Sequence, residues 1–362
     1  MSQDTKPIRQ GEELNEANLQ AFLRENLGAK SDEIVVEQFP AGSSNLTYCV
    51  KIGVEEYVLR RPPFGNQVKS AHDMSREFNV LSKLSKVYKP APKPLLYCAD
   101  EAIIGSEFYL MERRRGLIIR GKSPMSEPPA SAGGLSLENS KDLQRKVCES
   151  FIENLAELHA LDYKKIGLEN LGKPEGYARR QVEGWTKRYF KAKTDENTEL
   201  EKSIEWLSRN IPEPSGATLV HNDYKFDNVM LNAENLTEIV AVLDWEMTTI
   251  GEPLMDLGTT LGYWMSKESG SELLSMPFNP RSLMENISRR ELVEMYAEKS
   301  GRNVSNMLFY YVFGTFKIAA IAQQIYFRFA RGFTRDKRFA TFNQFVGALG
   351  KIALHAIETE RI

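Results

Sequence analysis

Between residues 34 and 112 the chain is written in short β-type runs, and beyond residue 140 mainly in long helical ones. The runs "EIVVEQF", "NLTYCVKI" and "EEYVLRR" are rich in β-branched and aromatic residues and are separated by Gly, Ser or Asn, which predicts three strands. A helix is expected at "MSREFNVLSKLSK", where Phe78, Leu81 and Leu84 recur at helical spacing. The Pro-rich "KPAPKPLLYCAD" stops that helix and leads into a further strand, and "SEFYLMERR" supplies another. One helix, Glu16–Leu27, precedes the set.

Past this region "RGKSPMSEPPASAGGLS" is the most Pro/Gly/Ser-rich piece of the chain, and its pattern reads as a mobile loop at residues 121–136. Helices are predicted over residues 140–161, 175–193, 199–210, 289–300, 305–329 and 338–358, with short strands near 218–221, 229–231 and 239–243. A chain of 362 residues exceeds what one hydrophobic core usually serves. The expected fold class is therefore α+β, with a small β-rich N-terminal lobe at 1–112 that carries one main helix. A larger, mostly helical lobe follows at 113–362. A cleft between two such lobes is a common place for a ligand.

Composition narrows the function. A formal net charge of -2 gives neither the basic excess of a nucleic-acid or membrane-surface binder nor an acidic tail. Cys49, Cys98 and Cys148 are far apart and lack CxxC spacing, which argues against a disulfide framework or a zinc site. The N-terminal "MSQDTKPIRQGEELNE" has no apolar signal core, and no apolar run is long enough to span a bilayer. These features predict a cytoplasmic protein with neither nucleic-acid nor membrane partners.

The polar interruption "LVHNDYKFDNVML" carries the chemistry. Asp223 and Asn228 stand five residues apart, and "AVLDWE" brings Asp244 sixteen residues after Asn228. This pattern suits metal-dependent phosphoryl transfer: one carboxylate orients a hydroxyl nucleophile, while an amide oxygen and a second carboxylate hold Mg²⁺ against phosphate oxygens. In an isolated HxD, Asp and Asn would be ordinary turn residues. A buried β-hairpin that ends in an Asp, as at Asp244, has no structural need for a matching Asn on its partner loop.

These segments resemble the aminoglycoside phosphotransferase and choline kinase group, relatives of the protein kinases. "HNDYKFDNVML" followed by "VLDWEMTTIGEPLMDLG" carries the resemblance over roughly residues 30 to 330. "YVLRRPPFG" and "SAHDMSREFNVLSKL" point within that group to the branch fused to acyl-CoA dehydrogenases. The resemblance implies a bilobal protein-kinase-like fold that uses ATP and Mg²⁺. It makes Asp223 the catalytic-loop aspartate, Asn228 and Asp244 the metal ligands, and Asp256 a structural brace of the loop. His221 matches a position that holds the loop. Lys225 is either a cation that neutralises the transferring phosphate or a solvated loop lysine.

For the nucleotide, "FPAGSSNLTYCV" resembles a phosphate-covering loop, with Gly42, Ser43, Ser44 and Asn45 able to approach phosphates, although it lacks GxGxxG. The third strand offers Arg60 where the wider family has a lysine, and Glu77 on the following helix is its expected ion-pair partner. The backbone of Glu112 and Arg113 is expected to meet adenine.

The acceptor remains open between classes. The helix "YARRQVEGWTKRYFKAK" interleaves basic and aromatic residues, and helical spacing puts Gln181, Trp185 and Arg188 on neighbouring turns, with Arg180 beside them. With "RRR" at 113–115 and "RFARGFTRDKRF" at 328–339, the helical half suits an anionic small-molecule hydroxyl acceptor, such as a hydroxyacyl-CoA, better than a polycationic aminoglycoside or a choline-like amino alcohol. A nucleotide-binding pseudokinase is the alternative. A protein kinase fits less well because "DWEMTTIGEPLMD" proceeds directly toward a helix, leaving no typical activation segment.

Overall fold

The structure is a computed structural model. It describes residues 4–28, 34–40, 45–64, 73–120, 140–264 and 281–362, with residue 285 excepted. The chain divides into two compact units, one of Met1–Arg115 with Val240–Glu246, the other of Gly116–Ile239 with Met247–Ile362.

The first unit opens with α1 (Glu16–Leu27), whose N-cap Asn15 accepts from the Asn18 amide and whose end is the left-handed Gly28. Strands β1 (Ile34–Gln38), β2 (Leu46–Ile52) and β3 (Glu55–Arg61) follow, then α2 (Met74–Leu84). The unit continues with β4 (Pro94–Cys98), α3 (Glu101–Ile104) and β5 (Phe108–Glu112). The sheet is antiparallel in the order β1-β2-β3-β5-β4. Its β2–β3 hairpin turns at Gly53, whose φ of 60° suits a two-residue turn between Ile52 and Glu55. Tyr48, Leu59, Phe108 and Leu110 form the core with Leu19 and Leu23 of α1. Helix α2, capped by Asp73, buries Glu77 together with Val80, Leu81 and Leu84. Residues 240–246 join this unit through the Val242 amide, which donates to the Pro90 oxygen at 2.8 Å, and through Trp245 edge-on to Tyr88.

The second unit holds α4 (Lys141–Ala160), α5 (Tyr177–Ala192), α6 (Thr198–Arg209), β6 (Thr218–Val220) and β7 (Val229–Leu231). Strand β8 (Ile239–Val242) runs from this unit into the first. Then come β9 (Thr249–Gly251), α7 (Pro253–Tyr263), α8 (Arg281–Met284), α9 (Arg289–Ser300), α10 (Met307–Ala330) and α11 (Phe342–Thr359). Strands β6 and β9 pair antiparallel. Helices α7 and α10 pack backbone to backbone: a Cβ built on Gly314 would lie 2.0 Å from the Gly258 oxygen, and one on Gly258 would lie 2.1 Å from the Tyr310 oxygen. Only glycine permits that approach.

The predicted helix at 338–358 begins later, at Phe342, because Asp336 caps a separate 3-10 turn at Lys337–Phe339. The short α3, α8 and β9 carry too few residues for a periodic signal. Cys49, Cys98 and Cys148 are buried free thiols. No helix of the described residues is long and apolar enough to cross a membrane.

Candidate active site

The loop from β6 to β7 is held by buried polar and aromatic contacts. The His221 and Asn222 amides donate to the two oxygens of Asp256, at 2.6 and 2.7 Å, so the carboxylate at the start of α7 braces the turn as expected. Burial pushes the Asp256 carboxyl up, but His159 and His221 more than offset it and leave it lowered. His159 lies 3.2 Å from Asp256 and 2.7 Å from the Tyr296 hydroxyl, and burial pulls its own pKa down. Below the loop, Phe226 stacks on Phe151 at 4.2 Å, and the Tyr224 hydroxyl donates to the Phe151 oxygen at 2.9 Å. Apolar residues thus anchor the alternate positions between the polar ones.

On this mount the Asp223 carboxylate is held from three sides. The Tyr263 hydroxyl donates to Oδ1 at 2.9 Å, the Lys225 ammonium lies 2.9 Å from Oδ2, and Asn228 Nδ2 donates to Oδ2 at 2.9 Å. The same Asn228 nitrogen donates to the Asp223 backbone oxygen at 2.9 Å. Its amide hydrogens are therefore turned toward Asp223, which leaves its oxygen as the atom that could accept from a donor or ligate a cation. Burial pulls the Lys225 ammonium down, while Asp223 and then Tyr263 raise it further, so its pKa stands above the ordinary value. Lys225 also lies 4.8 Å from the centre of the Tyr263 ring. Burial pushes Asp227 up to about 6.

Within the first unit a buried charge cluster surrounds Arg60. Its Nη1 forms an ion pair with Glu77 Oε1 at 3.0 Å. Its Nη2 donates to Asp244 Oδ1 at 2.9 Å and lies 3.9 Å from Glu246. Burial works against the Arg60 charge, but Glu77, Tyr109 and Asp244 together hold its pKa well above the ordinary value. Burial also raises the Glu77 carboxyl, against the pull of Arg60. Asp244 is left-handed, with φ of 68°, an uncommon state for a residue with a Cβ. The sequence pairing of Arg60 with Glu77 is present. What the sequence did not suggest is that the same guanidinium also holds Asp244.

Other expected residues are placed as follows. Gly42, Ser43 and Ser44, and the loop at 121–136, lie outside the described residues. Asn45 is buried and donates to Glu246 at 2.8 Å. The Glu112 amide donates to the Lys93 oxygen at 2.9 Å, and the Arg113 guanidinium pairs with Asp4 and Glu56 at 2.6 and 2.8 Å. On α5, Arg180 donates to the backbone oxygens of Lys173 and Glu175, whereas Arg188 lies over Trp185 with 4.5 Å to the ring centre. Trp185 Nε1 donates to Gln181 Oε1 at 3.2 Å.

Two residues at the loop escaped assignment from sequence. Tyr263 stands seven residues after Asp256, two turns along α7, and so reaches the same loop from the same helix face. Lys317 was legible as a lone charge inside the apolar "FGTFKIAAIA".

Hard-cation chemistry fits the donors present. Mg²⁺ takes oxygen ligands, usually one or two carboxylates or amides with water and phosphate completing the shell. Asn228 and Asp244 are residues whose side chains carry oxygens of this kind. No group of three or more His, Cys, Asp or Glu is placed to hold a metal among the described residues.

Comparison with known proteins agrees with this architecture. The family model described as "Phosphotransferase enzyme family" matches residues 35–277. Acyl-CoA dehydrogenase family member 11 of Rattus norvegicus is 34% identical over 343 residues, 92% of this chain and 42% of that protein. The chain thus spans under half the length of that relative. A Ralstonia eutropha protein described as an aminoglycoside phosphotransferase superposes with a TM-score of 0.77 at 26% identity, covering 96% of this chain and 99% of that one. Choline kinase of Cryptosporidium parvum superposes with a TM-score of 0.63 at 14% identity, covering 95% and 96% respectively. The β-rich region followed by a mostly helical one is the kinase-like fold of these proteins.

Proposed function

The chain belongs to the phosphotransferase enzyme family, and from that premise we propose that it is an ATP- and Mg²⁺-dependent kinase of a small-molecule hydroxyl. The observation that supports this best is the Asp223 carboxylate, held by Tyr263, Lys225 and Asn228 on a loop braced by Asp256. A carboxylate fixed this way is a proton acceptor of set direction. The acceptor hydroxyl gives its proton to Asp223 as its oxygen bonds to the γ-phosphorus of ATP, and ADP leaves with the electrons of the broken bond. Lys225 stands beside Asp223 as a permanent cation and offsets charge on the transferring group. Asn228 and Asp244 would hold Mg²⁺, which supplies charge neutralisation at the phosphates. Arg60, kept in place by Glu77, would serve the nucleotide phosphates, with Gly42, Ser43, Ser44 and Asn45 covering them and the backbone of Glu112 and Arg113 meeting adenine.

The acceptor we favour is anionic, such as a hydroxyacyl-CoA. The cationic and aromatic residues of α5, with Arg188 exposed over Trp185 and Arg180 at the helix start, suit a negatively charged molecule. Similarity to proteins named for acyl-CoA dehydrogenation is in keeping with an acyl-CoA substrate. A cytoplasmic location fits the buried free thiols. An ADP-release screen across hydroxyacyl-CoA esters, free hydroxy acids, amino alcohols, sugars and aminoglycosides tests the reading, with Asp223→Ala as control. Response to aminoglycosides alone would overturn the anionic acceptor.

A second reading, a nucleotide-binding pseudokinase, draws on one observation: the Arg60 guanidinium donates to Asp244, the residue proposed above to hold the metal. Acceptor-dependent turnover of ATP excludes it.

A further inference from the structure

Lys317 plays no part in the chemistry above. It lies in the middle of α10 and is 2% exposed, among Phe313, Phe316, Ala319 and Ala320. A lysine there is costly unless its charge is matched. Its ammonium donates to the backbone oxygen of Asn222 and lies 5.7 Å from the centre of the Trp185 ring.

Asn222 is the residue before Asp223 and is left-handed, with φ of 68°. Asparagine tolerates this state better than most side chains, yet it must be held there. Each of its polar groups is engaged. The amide donates to Asp256 Oδ1 at 2.7 Å, Oδ1 accepts from the Tyr177 hydroxyl at 3.1 Å, and Nδ2 donates to the Met247 oxygen at 3.0 Å. Lys317 takes the carbonyl. The peptide between Asn222 and Asp223 is thereby gripped at both ends, since the Asp223 amide contacts His221 Nδ1 at 3.3 Å.

We propose that Lys317 is a positioning residue, whose buried ammonium fixes the Asn222–Asp223 peptide plane and so aims the Asp223 carboxylate. The proposal rests on the phosphotransferase reading for its effect on rate, but not for its effect on the loop. The charges facing Lys317 come from three directions: Asp223 and Lys225 on the loop, Asp256 on α7, and Arg188 on α5. Burial pulls the ammonium down to about 8, with Asp223 the largest opposing influence. Lys317 is therefore charged at neutral pH and loses its proton in mild alkali.

The experiment compares wild type, Lys317→Met, Lys317→Arg and Asp223→Ala by three readouts: kcat against pH, KM for ATP, and amide hydrogen exchange across residues 221–224. Lys317→Met is expected to lower kcat roughly tenfold or more, as loss of a charged hydrogen bond can. KM for ATP should change less than about twofold, since no nucleotide contact is removed. The alkaline limb of kcat near pH 8 should disappear, and the 221–224 amides should exchange faster. Lys317→Arg, whose guanidinium does not titrate in this range, should keep slow exchange and move the alkaline limb out of reach. An unchanged limb and unchanged exchange in Lys317→Met would overturn the proposal. If Lys317→Met fails to fold, Lys317→Arg decides: an alkaline limb still near pH 8 overturns the assignment. If wild type transfers no phosphoryl group at all, the kinase reading falls, and exchange at 221–224 alone decides the role of Lys317.

Discussion

Tyr263 donates its hydroxyl to Asp223 Oδ1 at 2.9 Å, from the last residue of the helix whose first turn carries the loop brace Asp256. One helix thus fixes both the backbone of the loop, through Asp256, and the Asp223 carboxylate that it carries. Tyr263→Phe removes a hydrogen bond to a charged group, an interaction of about 1.5–3 kcal/mol. The expected result is a fall in kcat of roughly tenfold or more with native circular dichroism retained. Steady-state ADP release checks it, and wild-type kcat would show the contact to be idle.

Lys225 and Asp223 form a close pair within a largely buried loop. Replacing Lys225 by Met should lower kcat by roughly two orders of magnitude, as loss of one transition-state cation or donor does elsewhere. ATP affinity should change little, as fluorescence titration with a nucleotide analogue would record.

Glu77 is buried against Arg60. Truncating one partner of a buried pair leaves the other charge uncompensated, at about 3–5 kcal/mol. Because Arg60 keeps Asp244, Glu77→Ala should fall at the lower end, about 3 kcal/mol, in urea unfolding. KM for ATP should rise as Arg60 loses its anchor.

The α7–α10 crossing gives a purely structural test. A methyl at Gly314 meets the Gly258 carbonyl at 2.0 Å, and backbone cannot yield as a flexible side chain can. Gly314→Ala should cost about 1–3 kcal/mol or more by overpacking. Because α7 and α10 carry Tyr263 and Lys317, kcat should drop with stability.

Lys317 also makes stability depend on pH. Its folded value of about 8 lies below the ordinary 10.5, so between these values the unfolded chain holds the proton more tightly than the native one. Stability from this group therefore rises with pH across that window, by ~3 kcal/mol in all. Urea unfolding of wild type minus Lys317→Met, between pH 7.5 and 10.5, isolates the slope.

Much of this was legible in the residues. Strands showed themselves by β-branched runs between turn signals, and α4, α5, α6, α9 and α10 by long apolar periodicity. The trio Asp223, Asn228 and Asp244 was singled out by the five-residue Asp–Asn spacing and the matching Asp244 sixteen residues further on. The contact of Tyr263 with Asp223 and the hold of Arg60 on Asp244 were not read, because both join residues far apart in the chain through side-chain reach, which periodicity does not encode. Lys317 left a trace, a charge in an apolar helix, but its partner is a backbone oxygen that sequence does not display.

Everything proposed for this loop turns on Asp223 accepting the proton of an acceptor hydroxyl during phosphoryl transfer. Its most direct test is Mg²⁺-dependent ADP release in the presence of hydroxyacyl-CoA esters and the other alcohol classes, wild type against Asp223→Ala. Acceptor-dependent turnover is expected in wild type, with a loss of at least about a thousandfold in kcat in a folded Asp223→Ala. Equal turnover in the two proteins, or none with any acceptor in wild type, would contradict it.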